Sequence, residues 1–308
     1  MLARNELIKE INNLLNSEGF ETSNVYDQRC FDLIARKKLL ILLLKTFTNV
    51  DSINETHAEE MRKISQIFLA SPLIVGEKSK NGLLEEDVVY ERHGVPAICL
   101  NTLKNMILYN EYPEVLADRG GYYVKINGDV LKEYREEYSL SLKDLADLAH
   151  VSRTTMYKYE NGIVKTNTET AMMLEDILNT KITVDIDLFE PYSENEENKD
   201  KNLELNRLGY GVISTNKSPF DTVAKSEEEI KSSLMFNMEK NRKIKTLEKM
   251  AISLKDLSNI TSSEPAFIIK NEKLKESIDG IPVIKSWELK EFGNSKDLLK
   301  VIKERKDN

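Results

Sequence analysis

The spacing of hydrophobic positions changes twice along this chain, and each change marks a different kind of structure. In MLARNELIKEINNLL, residues Leu7, Ile11, Leu14 and Leu15 recur at helical spacing and predict a helix over 2–17. Continuous apolar runs follow, predicting strands at Phe31–Ala35, Leu39–Lys45, Leu73–Val75 and Ala97–Leu100, with helices at 55–70 and 102–109 between them. Unbroken apolar strands alternating with helices predict an α/β sheet covered on both faces over residues 1–118. Gly120 and Gly121 open a connector, and Tyr122 to Ile126 reads as a strand ending in a turn at Asn127-Gly128.

From about Asp129 to Lys181 the period is purely helical. The stripes are Val130, Leu131, Tyr134 and Tyr138; then Leu142, Leu145, Ala146, Leu148 and Ala149; then Met156 and Tyr159; then Ala171, Met172, Leu174, Ile177 and Leu178. Ser141 with Asp144 three residues on spells a capping box, Ser152 caps the next helix, and Thr166 with Glu169 can cap the last. Asn161-Gly162 supplies a helix stop, since both residues accept left-handed backbone. Two short helices meeting at a tight turn are the layout of a helix-turn-helix, which places its second helix in the major groove of DNA. Arg153, Thr154, Thr155, Tyr157 and Lys158 are left on the outer side of that second helix.

The segment SLKDLADLAHVSRTTMYKYENG closely resembles the Cro/phage-repressor family of helix-turn-helix domains. Leu145-Ala146, Val151-Ser152, Met156 and Glu160-Asn161-Gly162 carry the match. The resemblance implies an ion pair of Arg135 with Glu160, clamping the first helix to the end of the recognition helix 152–160. It also implies that Arg153, Thr154 and Lys158 take base-reading positions, and that Ser152, Thr155, Asn161 and Lys165 lie near phosphates. The chemistry suits those roles: Arg or Lys bridges the guanine acceptors, a Thr methyl meets the thymine methyl, and phosphate contacts set the register. In one departure, His150 stands in the turn where the family usually has glycine. Positive φ at a non-glycine residue costs about 1 kcal/mol.

Composition narrows the partners. The chain of 308 residues carries a net charge of −8, and residues 125–182 hold eight Lys/Arg against ten Asp/Glu. Non-specific affinity for double-stranded DNA should then be poor and strongly salt-dependent, which favours a sequence-specific regulator, acting as a homodimer on a palindromic site, over a chromatin protein. Cys30 and Cys99 lie far apart without a CxxC motif, and His57, His93 and His150 are scattered, so neither a metal site nor a cofactor is expected. No glycine-rich phosphate loop is present. The run Leu39–Leu44 is far too short to span a bilayer, and the amphipathic N-terminus reads as a core helix, not a signal peptide. A soluble, cytoplasmic protein with no membrane contact is expected.

Past a charged linker at 184–204, rich in Asn and Ser, the earlier vocabulary returns in order. Gly19-Phe20 is echoed by Gly209-Tyr210, and Phe31-Asp32 by Phe220-Asp221. Ser71-Pro72 is echoed by Glu264-Pro265, and Gly94-Val95-Pro96 by Gly280-Ile281-Pro282. Residues 205–295 therefore read as a diverged copy of 19–110. The unit has the look of the restriction-endonuclease-like superfamily. In that superfamily an Asp and an acidic residue two positions before a strand lysine hold magnesium. Asp32 and Lys45 are present, but the partner position is Leu43. In the second copy Asp221 stands alone, and the strand Leu234–Met238 carries no carboxylate, so both sites read as degenerate. His93-Gly94-Val95-Pro96 reads as a tight turn into a strand, and Trp287 as a core or docking residue.

The expected architecture is multi-domain α/β plus all-α: 1–118, nuclease-like; 119–183, helix-turn-helix; 184–204, linker; 205–308, a second nuclease-like domain. Through FDLIARKKLLILLLK, the helix-turn-helix and GYGVISTNKSPFDTVAK, the whole chain resembles a group of archaeal HTH-type transcriptional regulators with a central Cro-type domain. That implies a DNA-binding regulator of transcription, and with Leu43 in the metal-ligand position no enzyme is expected. Two alternatives stay open: an interaction module contacting basal transcription proteins, and a metal-dependent structure-specific nuclease.

Overall fold

The computed structural model describes residues 2–193, 203–226, 233–240, 242–271 and 276–306. The amphipathic first stretch forms helix α1 (Arg4–Ser17), with Leu7, Ile11, Leu14 and Leu15 buried. A short strand β1 (Glu21–Thr22) leads to the hairpin of β2 (Leu33–Lys37) and β3 (Leu40–Asn49), then to α2 (Glu55–Phe68) and β4 (Ser71–Ser79). Strands β5 (Gly82–Leu83), β6 (Val88–Arg92) and β7 (Val95–Cys99), then helix α3 (Leu100–Tyr109), complete a first unit. Its sheet runs β1-β2-β3-β4-β7-β6, with β3, β4 and β7 parallel and the outer pairs antiparallel.

Both faces of this sheet are covered, which is why the run in β3 is unbroken instead of alternating. Leu42 and Leu44 pack with α1 and α3, while Ile41 and Leu43 pack on the other side with α2. Leu39, expected to start the strand, is 92% exposed. It sits in the two-residue turn between β2 and β3, where Lys38 takes φ 57°. Strand β6 carried too little apolar alternation to be read from sequence.

The sheet continues past the first unit. β8 (Val115–Asp118) lies parallel to β6, and β9 (Gly121–Ile126) returns antiparallel to it. Helices α4 (Gly128–Glu137), α5 (Leu142–Leu148) and α6 (Arg153–Glu160) follow, then β10 (Thr166–Asn167), α7 (Thr168–Leu178) and β11 (Thr183–Val184). Both β10 and β11 pair with β9, so this one strand carries the helical body. After β11 the chain returns to the first unit. There Ile186, Leu188 and Phe189 join the α1–α3 core, and Ser71 Oγ donates to the Phe189 carbonyl at 2.8 Å. The rest of the charged stretch, 194–202, lies outside the described residues.

The second unit comprises α8 (Leu203–Arg207), β12 (Tyr210–Ser214), β13 (Thr222–Ser226), β14 (Ser233–Met238), α9 (Ile244–Thr261) and β15 (Glu264–Ile269). It ends with β16 (Ser277–Ile278), β17 (Ile281–Lys285) and α10 (Ser295–Lys306). Its order β12-β13-β14-β15-β17-β16 repeats that of the first sheet strand for strand, with the same parallel and antiparallel senses. Even the turn into the last parallel strand recurs: His93 and Gly94 have φ 51° and 76°, Asp279 and Gly280 φ 51° and 74°. Two consecutive positive φ values are the type I′ geometry that suits a tight hairpin.

The two units pack against each other reciprocally. Helix α9 lies on β2 and helix α2 on β13. One buried cluster joins Ile34, Leu43, Met61 and Phe68 to Phe220, Val223, Met235 and Leu254. Hydrogen bonds repeat the exchange. Asp256 on α9 accepts from Asn24 N at 2.8 Å and Tyr26 Oη at 2.5 Å, while Glu60 on α2 accepts from Asn216 N at 3.1 Å and Lys217 N at 2.8 Å. Trp287, the only tryptophan, sits just after β17 and is 40% exposed.

Candidate nucleic-acid interface

The helical body starts with a cap, not the turn its Asn-Gly pair suggested. The Asn127 side chain accepts from Val130 N at 3.2 Å, and Gly128 is already the first residue of α4. A Cβ on Gly128 would sit 2.1 Å from the Glu160 carbonyl oxygen, so here backbone packs on backbone. Helix α5 opens with the reciprocal box: Asp144 N donates to Ser141 Oγ at 3.2 Å, and Ser141 N to Asp144 Oδ2 at 2.9 Å. The turn to α6 passes through His150 at φ 53°, and Val151 N closes it on the Ala146 carbonyl at 2.9 Å. Ser152 caps α6, accepting from Thr155 N at 3.0 Å.

On α6, Met156 and Tyr159 are buried, while Arg153, Thr154, Tyr157 and Lys158 are exposed on the opposite side. Ser152 is exposed, and Thr155 is half-buried with its hydroxyl 2.8 Å from Ser152 Oγ. Arg135 reaches the far end of the helix: its Nε donates to Glu160 Oε1 at 2.5 Å, and its Nη1 to the Leu140 carbonyl at 2.8 Å. The side chains of this pair are only 10% and 6% exposed. Hydrogen bonding to Glu160 pushes the Arg135 guanidinium above its ordinary range.

Several expected details differ. Gly162 alone takes left-handed backbone, at φ 63°; Asn161 stays at φ −98° and donates through Nδ2 to the Tyr157 carbonyl at 2.7 Å. Asn167, not Thr166, caps α7, accepting from Thr170 N at 2.7 Å; Thr166 is buried in β10. Three stripe residues face solvent: Tyr138 (50%), Leu148 (49%) and Met172 (64%). Tyr138 lies beyond the last turn of α4, and Leu148 and Met172 fall at the rims of narrow buried arcs on short helices. Lys165 is exposed, 3.8 Å from Asp118 on β8. Glu175 escaped sequence reading, although its Oε1 accepts from Ile182 N, Thr183 N and Thr183 Oγ1 and so fixes the end of the body to β11. No local sequence signal marks a carboxylate that acts seven residues away.

The second place where nucleic-acid chemistry could reside is the sheet of each repeated unit. Asp32 is fully buried. Its Oδ1 accepts from Lys45 Nζ at 2.7 Å and Arg4 Nη2 at 2.8 Å, and its Oδ2 from Thr46 N at 2.8 Å and Thr46 Oγ1 at 2.7 Å. Asp221 is likewise surrounded by donors. It accepts from Lys240 Nζ and Arg242 Nη2, each at 2.9 Å, from Arg242 Nη1 and from Met238 N. A divalent cation needs free carboxylate oxygens from more than one residue. Here every acceptor site on both aspartates is engaged by a donor, and Leu43 offers none. The residues present therefore do not fit magnesium. Among the described residues, no group of three or more His, Cys, Asp and Glu side chains could hold a metal, and no helix is long and apolar enough to cross a membrane.

Comparison with known proteins agrees with this layout. A family model for the PD-(D/E)XK superfamily domain matches residues 4–113, and one for a helix-turn-helix matches residues 131–184. A protein of Methanobrevibacter smithii is 67% identical over the full length of both chains. One of Methanothermobacter thermautotrophicus is 54% identical over 99% of this chain and 98% of its own. One of Pyrococcus furiosus is 33% identical over 98% of each. All three bear the provisional name HTH-type transcriptional regulatory protein. With a PD-(D/E)XK superfamily domain, a central helix-turn-helix, a second unit that repeats the first one's strand order and end-to-end similarity to these proteins, the chain belongs to this family of archaeal HTH-type transcriptional regulatory proteins.

Proposed function

We propose that this protein is a sequence-specific, DNA-binding regulator of transcription that inserts α6 into the major groove. The observation that carries this reading is the sidedness of α6. A capped helix, anchored by buried Met156 and Tyr159 and by the Arg135–Glu160 pair, presents Arg153, Thr154 and Lys158 together to solvent. Arg153, Thr154 and Lys158 read base edges, while Ser152, Thr155, Asn161 and Lys165 lie along the phosphates. The exposed, 3.8 Å contact of Lys165 with Asp118 is weak enough for a phosphate to displace.

The working units of this reading are 1–118, 119–183, 184–204 and 205–308, with the first sheet running on into β9. The protein acts in the cytoplasm as a homodimer, which doubles the basic face and matches a palindromic site. In this reading the chain works as a regulator and not as a nuclease: each unit offers one aspartate, engaged by protein donors, and Leu43 offers no ligand for a metal. Basal transcription proteins are candidate partners of the flanking units.

The test is selection of genomic DNA fragments by the purified chain and by its Arg153→Ala/Lys158→Ala variant. A palindromic motif enriched only by the native protein is expected. Equal enrichment by the variant would remove α6 from the interface. Absence of any motif would move the role to protein interaction through the flanking units.

A further inference from the structure

The face of each nuclease-like unit that would carry chemistry is the face on which the two units meet. Along β3, Ile41, Leu43 and Phe47 belong to the shared core, and Lys45 follows in the same alternation, whereas Leu42 and Leu44 point to the far side. The equivalent register in the second unit is fixed by two matching bonds: Asp32 N donates to the Leu44 carbonyl at 2.8 Å, and Asp221 N to the Phe236 carbonyl at 3.0 Å. Met235 therefore stands where Leu43 does, and Asn237 where Lys45 does. Leu43 and Met235 are both fully buried, and both lie in the cluster that joins the units.

We infer that pairing of the two units has taken the place of metal-dependent cleavage. The second metal-ligand position of each unit has become part of the inter-unit core, and cationic side chains of the protein supply the charge a metal would bring. The two substitutions have different origins. In the first unit the added cation is Arg4, from α1, which joins the strand lysine Lys45 on Asp32; in the second the cations are Lys240 and Arg242, from the segment after β14. What recurs is the charge balance around a buried aspartate and its backbone donor, Thr46 N or Met238 N. A buried carboxylate without a counter-charge is strongly disfavoured, so once the metal ligand was given up each unit needed its own cation. A carboxylate restored at position 43 would be enclosed in the apolar joint. Cleavage and pairing are thus alternatives on the same surface.

The test uses the full chain and its single tryptophan. Trp287 belongs to the second unit, whereas Leu43 belongs to the first, so Trp287 fluorescence reports the second unit's response to a change in the first. Native protein should unfold in urea with coincident fluorescence and far-UV circular dichroism transitions. Leu43→Ala, the milder change, and Leu43→Glu should both lower the Trp287 midpoint. Titration with Mn2+ should give no binding that depends on Asp32 or Asp221. The inference is overturned by a Trp287 midpoint that stays in place in Leu43→Ala. It is equally overturned by one or two bound Mn2+ per chain that disappear in folded Asp32→Asn or Asp221→Asn protein, or by Mg2+-dependent nicking of supercoiled DNA lost in Asp32→Asn. None of these readouts depends on operator binding by α6, so failure here and failure of the regulator reading are separable.

Discussion

Arg135 and Glu160 show how much one side-chain pair can settle. They lie 25 residues apart, are nearly enclosed, and join the first helix of the body to the end of the recognition helix. Removing one partner of such a pair strands the other charge, at a cost of about 3–5 kcal/mol. Arg135→Ala should therefore lower the thermal midpoint sharply, and Arg135→Leu/Glu160→Leu should lose less than either single variant. A double variant as unstable as the sum of the singles would show the two residues to be uncoupled. Asp221 makes a second residue-level case. Burial raises its carboxyl pKa, but bonds from Arg242, the Met238 amide and Lys240 outweigh that and hold it below the ordinary range. Glu288, bonded by Arg305, is lowered in the same way. A lowered folded pKa gives stability that is present above the unfolded value of about 4 and is lost as pH falls through the folded value. Urea midpoints should drop as pH falls below about 4, and Asp221→Asn, less stable at neutral pH, should show a flatter acid limb.

At the scale of elements, caps and close approaches decide how α6 is held. Ser152→Ala removes the cap of α6 and should cost about 1 kcal/mol. Because Ser152 also stands among the proposed phosphate contacts, unfolding and DNA affinity need to be measured separately. Gly128→Ala places a methyl against the Glu160 carbonyl, and a reduction of at least 1–3 kcal/mol, roughly that of overpacking elsewhere, is expected in thermal unfolding. His150→Gly relieves a positive-φ residue and should stabilise the body by up to about 1 kcal/mol. A neutral result would mean that the imidazole makes compensating contacts. The capping box at Ser141 and Asp144 was legible because its signal is local, four residues long and specific to one geometry. The ends of α7 and the exposure of Leu148 and Met172 were not. Which of two adjacent cap formers wins, and how wide an arc is buried, depends on what packs opposite.

The whole molecule adds features that no segment contains. Strand β9 joins the helical body to the first unit's sheet, pairing with β8 of that sheet and with β10 and β11 of the body. Helix α6 is thereby tied, through the helical body, to the sheet of the first unit. The logarithm of DNA affinity should fall linearly with the logarithm of salt concentration, and Lys165→Ala should reduce that slope by about one phosphate contact without changing the selected sequence. A change in the selected sequence would place Lys165 at a base edge.

Sequence alone determined the helix-turn-helix, the order of its helices, the repeated unit and the missing ligand at Leu43. Each of these rests on short-range periodicity, a local cap, or residue identity at a fixed spacing. Tertiary structure decided what the repeats do with their buried aspartates, that Arg4, Lys240 and Arg242 balance them, and that the two units share one core. The shared core depends on contacts between residues more than 200 positions apart, such as Tyr26 with Asp256, and the charge balance on contacts 13 to 28 positions apart, between residues of different segments. A one-dimensional pattern encodes which residues want to be buried, but not against which partner.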